Sequence, residues 1–372
     1  MKKYPVTFMK HAVIILVLLC TALHVAAQSE KPLKIAVAGL SHDHVTGLID
    51  RYKKGDVDIV GIAESDTALV QRYQERYELP ASLFYKSLPA LLKRHKPEAV
   101  VAYNAIADHL SVVQTCAPLG IHVMVEKPLA TTLADANKIA ALAQKHRIHV
   151  LTNYETTWYP SNQQLFTMLQ TSPGLGEIRK MVVHDGHEGP KEIGVSNEFL
   201  AWLTDPVKNG GGALIDFGCY GANLMTWLMK GIKPTSVTAI TRQIKPDIYP
   251  HVDDDATILL EYPQATGIIE ASWNWPFSIK DLEVFGKSGY IQAVNAHSIR
   301  IRDNGNNSYA HMEANILPPE YQDNLSYLEA VLRNRIKPGA DLSSLKNNLI
   351  VVEILEAARQ SASTGKKVLL PK

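Results

Sequence analysis

Over the first half of the chain, short β-branched apolar runs alternate with stretches whose apolar residues recur every three or four positions. The runs Lys34–Gly39, Val57–Ala63, Ala99–Tyr103, Ile121–Val125 and His149–Leu151 read as buried strands. Between them, Val45–Lys53, Asp66–Tyr77, Ser87–Arg94, His109–Leu119 and Leu133–His146 carry helical periodicity. Repeated strand–helix units with short linkers predict a parallel sheet covered on both faces, a doubly wound α/β domain. After Asn153 the pattern changes. An aromatic and polar linker, Tyr154–Pro160, leads to a helix at Ser161–Leu169. Strands then follow in succession at Ile178–His184, Ser236–Arg242, Ala256–Tyr262, Thr266–Ser272, Leu282–Phe285, Tyr290–Val294 and Ser298–Ile301. Their turns carry Pro263, Gly286, Gly289 and Asn304-Gly305, which predicts a mostly antiparallel open sheet with helices on one face, an α+β domain. A last helix, Leu342 to Thr364, stops at Gly365. Such a sheet leaves its other face to bury, so the chain is expected to form a homo-oligomer through it.

Residues 1–27 stand apart. Lys2, Lys3 and Lys10 precede an apolar run from Ala12 to Leu23, and Val25-Ala26-Ala27 offers small residues for cleavage before Gln28. The run is shorter than the ~20 apolar residues of a spanning helix. A secretory signal peptide is therefore expected, with an exported, periplasmic protein that meets the membrane only through that transient segment; Cys20 leaves a lipoprotein as the lesser option. The predicted organisation is 1–27 leader, 28–155 nucleotide-binding domain and 156–372 substrate-binding and oligomerisation domain. The formal net charge of +1 falls to −2 without the leader's three lysines, so no basic field for nucleic acid remains. Cys116 and Cys219, both within predicted helices, are expected to be free buried thiols.

The first turn, Gly39-Leu40-Ser41-His42-Asp43-His44, keeps one glycine of the G-x-G-x-x-G pattern that seats a pyrophosphate on a helix N-terminus. Ser41 and His44 replace the others, so the loop is wider than usual or uses side-chain donors. His42 and His44 lack a third ligand nearby in sequence, and no metal is expected. Glu64 ends the second strand 25 residues after Gly39, where an acid grips ribose hydroxyls and repels a 2′-phosphate; this favours NAD over NADP. The alternative is that Glu64 caps the next helix. In Glu126-Lys127-Pro128, Pro128 ends the strand and leaves Lys127 at the sheet's carboxyl edge, where ligands bind. Farther on, Gly210-Gly211-Gly212 brings a helix start close to a ligand. Asp216 and Tyr220 are i, i+4 neighbours on that helix and suit a polar substrate, while Leu214, Phe217, Leu224 and Trp227 turn to the core.

Together, the strand and turn from Lys34, the Glu126-Lys127-Pro128 motif and the Gly210–Tyr220 segment resemble the Gfo/Idh/MocA oxidoreductases, in order and over essentially the whole chain after the leader. The resemblance implies a Rossmann domain, a nicotinamide cofactor, and Lys127, Asp216 and Tyr220 around the reacting carbon of a sugar, polyol or glycoside. On it, Tyr220 takes the hydroxyl proton, its pKa lowered by Lys127, while Lys127 polarises the oxygen and Asp216 orients the sugar. Gly39, Ser41, His42, His44, Glu64, Asn104, His109, Glu126 and Lys127 are the expected cofactor contacts; His109 touches the nicotinamide ribose or caps its helix. Asn153, Trp158, His184 and His187 are the expected further substrate contacts. Export implies a tightly held cofactor recycled within the turnover. That permits oxidation and reduction of sugars, or an NAD-dependent glycosidase working by transient oxidation and elimination. A sugar-binding module without turnover is the third option.

Overall fold

The structure is a computed structural model describing residues 31–171, 175–303 and 305–371. The leader expected at 1–27 and Asn304 of the Asn304-Gly305 turn lie outside these residues. Among the described residues no helix is long and apolar enough to cross a membrane.

Six strands form the first sheet: β1 (Lys34–Ala38), β2 (Asp58–Ala63), β3 (Phe84–Tyr85), β4 (Ala99–Ala102), β5 (His122–Glu126) and β6 (Val150–Asn153). All pair in parallel, in the order β3-β2-β1-β4-β5-β6. β1, β4, β5 and β6 are buried almost throughout, as strands covered on both faces must be. The order reverses between β1 and β4, so the ligand crevice of an open sheet falls at their carboxyl ends, at Gly39 and Asn104. Two-residue β3 is too short to leave a periodic signal, and the sequence pattern omits it.

The second sheet has nine strands: β7 (Ile178–Gly186), β8 (Ser236–Arg242), β9 (Asp255–Glu261), β10 (Thr266–Ser272), β11 (Ile279–Gly286), β12 (Gly289–Ala293), β13 (Ser298–Asp303), β14 (Ala310–Glu313) and β15 (Val368–Leu369). Their order is β14-β13-β12-β11-β7-β10-β9-β8-β15, antiparallel except for β7 beside β10. β9 and β10 alternate buried and half-buried positions, the period-2 signature of one face on a core. That core holds Ile258, Ile269, Val183 and Leu282 against Leu214, Leu224 and Trp227 of the helices.

Two helices carry too weak a pattern for the sequence reading, Asn197–Leu203 and Asn324–Leu332. The last helix begins at Leu345 rather than Leu342, because Ser344 accepts the Asn347 N–H at 3.3 Å and caps it. Although it follows the second sheet in sequence, Val352 of this helix lies in the apolar core of the first. Cys116 and Cys219 are free and buried, as expected.

Candidate active site

A cavity of about 520 Å³ opens between the turn after β1, the end of β5 and the helices of the second sheet. Lys127 sits at its base, only 7 % exposed. The Lys127 Nζ donates to the Asp216 carbonyl at 3.0 Å and forms a close ion pair with the Asp216 carboxylate. Trp273 Nε1 donates to the other carboxylate oxygen at 3.0 Å. Burial alone would strip the charge from Lys127, but Asp216 outweighs it and holds the ammonium more firmly than usual. Asp216 in turn is held ionised by Lys127 against the cost of its own burial.

The glycine segment explains how Asp216 reaches this spot. Gly210 and Gly211 have φ of +89° and +157°, which other residues rarely adopt. At Gly212 a Cβ would lie 1.7 Å from the Asp253 carbonyl oxygen. Asp253 accepts the Gly212 and Leu214 N–H groups at 2.9 and 2.7 Å, and its carbonyl accepts that of Ala213 at 2.9 Å. Asp253 is the clamp that seats the loop. Gly212→Ala is expected to cost about 3 kcal/mol, since backbone rather than a movable side chain stands in the way; urea unfolding measures it. The helix also breaks, running Ala213–Asp216 and then Gly218–Leu228. Asp216 and Tyr220 are therefore not i, i+4 neighbours on one continuous helix, although both line the cavity.

Tyr220 departs further from expectation. Its ring lies under two ammonium groups, Lys127 and Lys280, each Nζ 5.0 Å from the centroid. Burial pushes its hydroxyl far up, and Glu155 and Asp185 add to the shift, so the phenol stays neutral rather than being primed as phenolate.

The charge ready to move lies on the other side. His44 Nδ1 is 3.1 Å from Glu126 Oε2. The second Glu126 oxygen accepts from Asn153 Nδ2 at 2.8 Å, and Asn153 Oδ1 from Trp158 Nε1 at 2.9 Å. Burial opposes the Glu126 charge, yet His44 and the other partners win and hold the carboxyl down at about 2. For His44 burial pulls downward and Glu126 more than restores it, a net rise. Glu126 is thus the third group that sequence proximity did not supply: the ligand atoms of His42, His44 and Glu126 lie within 4.8 Å of one another. The His44 backbone N–H, however, donates to His42 Nδ1 at 3.2 Å, which puts the His42 proton on Nε2. That buried nitrogen is a donor 4.0 Å from Glu126 Oε2, without a partner among the described residues.

A second cavity of about 500 Å³ lies at the carboxyl ends of β1, β2 and β4, lined by Gly39, Ser41, Glu64 and Asn104. A Cβ on Gly39 would stand 2.7 Å from that of Asn104, so the turn requires glycine. Glu64 accepts the Leu40 and Asp66 N–H groups, both at 2.9 Å, and so braces the turn, while Asp66 and not Glu64 caps the following helix. Asn104 Oδ1 and His109 Nε2 are buried polar atoms without partners among the described residues. A glycine cradle, a carboxylate at the β2 tip and orphaned polar atoms fit a dinucleotide. Burial drives His109 down to about 4, so it is neutral.

Three expected substrate contacts, His184, Trp158 and Asn153, lie elsewhere. Successive strand residues face opposite ways, and on β7 it is Asp185, not His184, that turns inward. His184 pairs with Asp281 at 2.7 Å on the other face. Trp158 packs on Tyr327, 5.6 Å between centroids, and with Asn153 supports Glu126 from behind. His187 does line the cavity, with Glu155, Tyr159 and Lys280, which sequence reasoning missed. Asp185 is buried with neither carboxyl oxygen partnered among the described residues, and burial pushes its carboxyl well above the usual carboxylate range.

Comparison with known proteins agrees with this architecture. The family model "Oxidoreductase family, NAD-binding Rossmann fold" matches residues 33–154, and "GFO/IDH/MocA C-terminal domain" matches residues 168–292. The chain belongs to the Gfo/Idh/MocA oxidoreductases. Among the relatives of this Gfo/Idh/MocA chain, human trans-1,2-dihydrobenzene-1,2-diol dehydrogenase is 23 % identical over 264 residues, spanning 70 % of this chain and 73 % of the relative. The Xenopus laevis protein of the same name is 26 % identical over 256 residues, spanning 68 % and 72 %. Aldose-aldose oxidoreductase from Caulobacter crescentus, complexed with glycerol, shares the fold at a TM-score of 0.75 and 21 % identity, over 91 % of this chain and 100 % of that one. An inositol dehydrogenase homolog from Azotobacter vinelandii, complexed with NAD+, does so at 0.77 and 18 %, over 92 % and 98 %. The family's first domain makes this chain an NAD-binding oxidoreductase.

Proposed function

We propose that the chain moves a hydride between a tightly held NAD and a secondary hydroxyl or ketone of a sugar, polyol or glycoside. The carrying observation is the buried Lys127–Asp216 pair at the base of the cavity. Lys127 donates to the reacting oxygen, Asp216 keeps that ammonium charged and placed, and Glu155, Lys280 and His187 offer donors and acceptors for further hydroxyls. Bound nicotinamide supplies the two-electron acceptor or donor. Gly39, Ser41, His42, Glu64, Asn104 and His109 hold the dinucleotide, and Glu64 favours NAD over NADP through charge. Asp185, a buried acid with both oxygens unpartnered among the described residues and its carboxyl raised by burial, opposite Lys280 across β7 and β11, supports a second reading, glycosidic cleavage by transient oxidation. We further propose export, and a second copy over the outer face of the nine-stranded sheet, where Val182, Leu259 and Ile268 remain half-buried.

The test is to denature chain purified from Gln28 onward and identify released nucleotide by mass spectrometry. NAD is expected, and so is sugar turnover without added cofactor. Chain that releases no nucleotide, and binds neither NAD nor NADP when they are added, overturns the reading.

A further inference from the structure

The geometry points to His44, oriented by Glu126, as the group that takes the substrate's hydroxyl proton. The assignment rests on the oxidoreductase reading above and adds a residue to it. The Glu126 carboxylate can only accept, so Nδ1 of His44 carries the proton at their 3.1 Å contact, leaving Nε2 with a lone pair. Among the described residues no protein group bonds that Nε2. The side chain is 44 % exposed and lines the same cavity as Lys127, Asp216 and Tyr220. The carboxylate is fixed from behind by Asn153 and Trp158, so the imidazole has a defined tautomer and a defined direction. This is the orienting logic of a carboxylate–histidine dyad, here built from the first turn and the end of β5.

The step balances with nicotinamide as acceptor. The carbon's C–H pair leaves as hydride, the O–H bond breaks and its electrons form the C=O bond, and the proton passes to His44 Nε2. Glu126 balances the imidazolium, while Lys127 stabilises the oxygen. In reduction the same proton returns. Tyr220 does not compete, because burial, with Glu155 and Asp185, holds its proton in place against the Lys127 and Lys280 ammonium groups beside its ring. The titratable groups facing His44 are Glu126 at the end of β5, Lys127 just after it, His42 from its own turn and Glu155 from the linker. Two of the three ionised groups are carboxylates, which favours the imidazolium once formed.

Kinetics and NMR test the assignment. His44→Gln is expected to lower kcat by on the order of 10²-fold or more, with NAD affinity within about threefold of wild type when measured above the His44 titration, where neither side chain carries a charge. The acid limb of the pH–kcat/KM profile should vanish in His44→Gln and persist in Tyr220→Phe, and imidazole should partly restore turnover to His44→Gly. Independently of activity, NMR titration should place His44 above an ordinary histidine in the wild-type chain and lower in Glu126→Gln. Loss of the limb in Tyr220→Phe rather than His44→Gln overturns the proposal. So does a His44 titration indifferent to Glu126, or turnover abolished by a chelator and restored by Zn²⁺. If no nicotinamide is bound at all, the oxidoreductase reading fails while the titration still decides whether the dyad exists.

Discussion

Lys127→Ala is expected to lower kcat/KM by on the order of 10³-fold, the loss typical of removing a preorganised donor from a developing oxyanion. The ammonium cannot be replaced from solvent, because the side chain is buried against Phe217 and Tyr220, its Nζ 5.9 and 5.0 Å from their ring centroids. The same change leaves Asp216 buried without its counter-ion, which costs about 3 kcal/mol of stability or forces the carboxyl to take up a proton. The two losses separate experimentally. Lys127→Met with Asp216→Leu removes both charges and is expected to recover most of the stability in urea unfolding, with turnover still absent. Recovery of turnover in that double variant would show that the pair serves the fold alone.

The second large effect is acid lability. His109 is fully buried and held at about 4, against about 6.5 in an unfolded chain. Below pH ~6.5 the unfolded state gains a proton that the folded state refuses, so stability falls as pH drops towards 4 and levels off below it. The lowering corresponds to about 3 kcal/mol from this one residue. His42, also driven down by burial, adds loss in the same direction. His44 acts oppositely: its raised value contributes stability in acid that is lost as pH rises through it. Urea midpoints between pH 7 and pH 4 should therefore fall, and the slope should weaken in His109→Gln. A flat profile would mean that His109 is protonated in the folded state.

What the sequence made legible follows from the range of each interaction. β1, β4 and β5 announce themselves because burial on both faces demands unbroken apolar runs. Lys127 and Asp216 were legible because Pro128 and the three glycines mark the backbone that places them. Their partnership was not, for 89 residues separate them. Nor was the His44–Glu126 contact, across 82 residues, without which two neighbouring histidines read as local hydrogen-bonders. Parity decided His184 against Asp185: one position along β7 exchanges outside for inside. The Tyr220 phenol was misjudged because Lys127 was weighed and burial among Glu155, Asp185 and Cys219 was not.

The return of the last helix to the first sheet has a consequence for how the protein is made. Val352 completes the apolar core around Ala136, Ile139 and Val150, with Leu345 and Leu349 packed against it. Arg359 of the same helix donates to the carbonyls of Gly210 and Thr131 at 2.8 and 2.9 Å, tying the glycine loop to the segment after β5. The nucleotide-binding half leaves the ribosome first and waits for its final covering until nearly the whole chain has followed. A fragment ending at 155 would carry that uncovered apolar surface into solution, so the two lobes are a unit of synthesis as well as of structure.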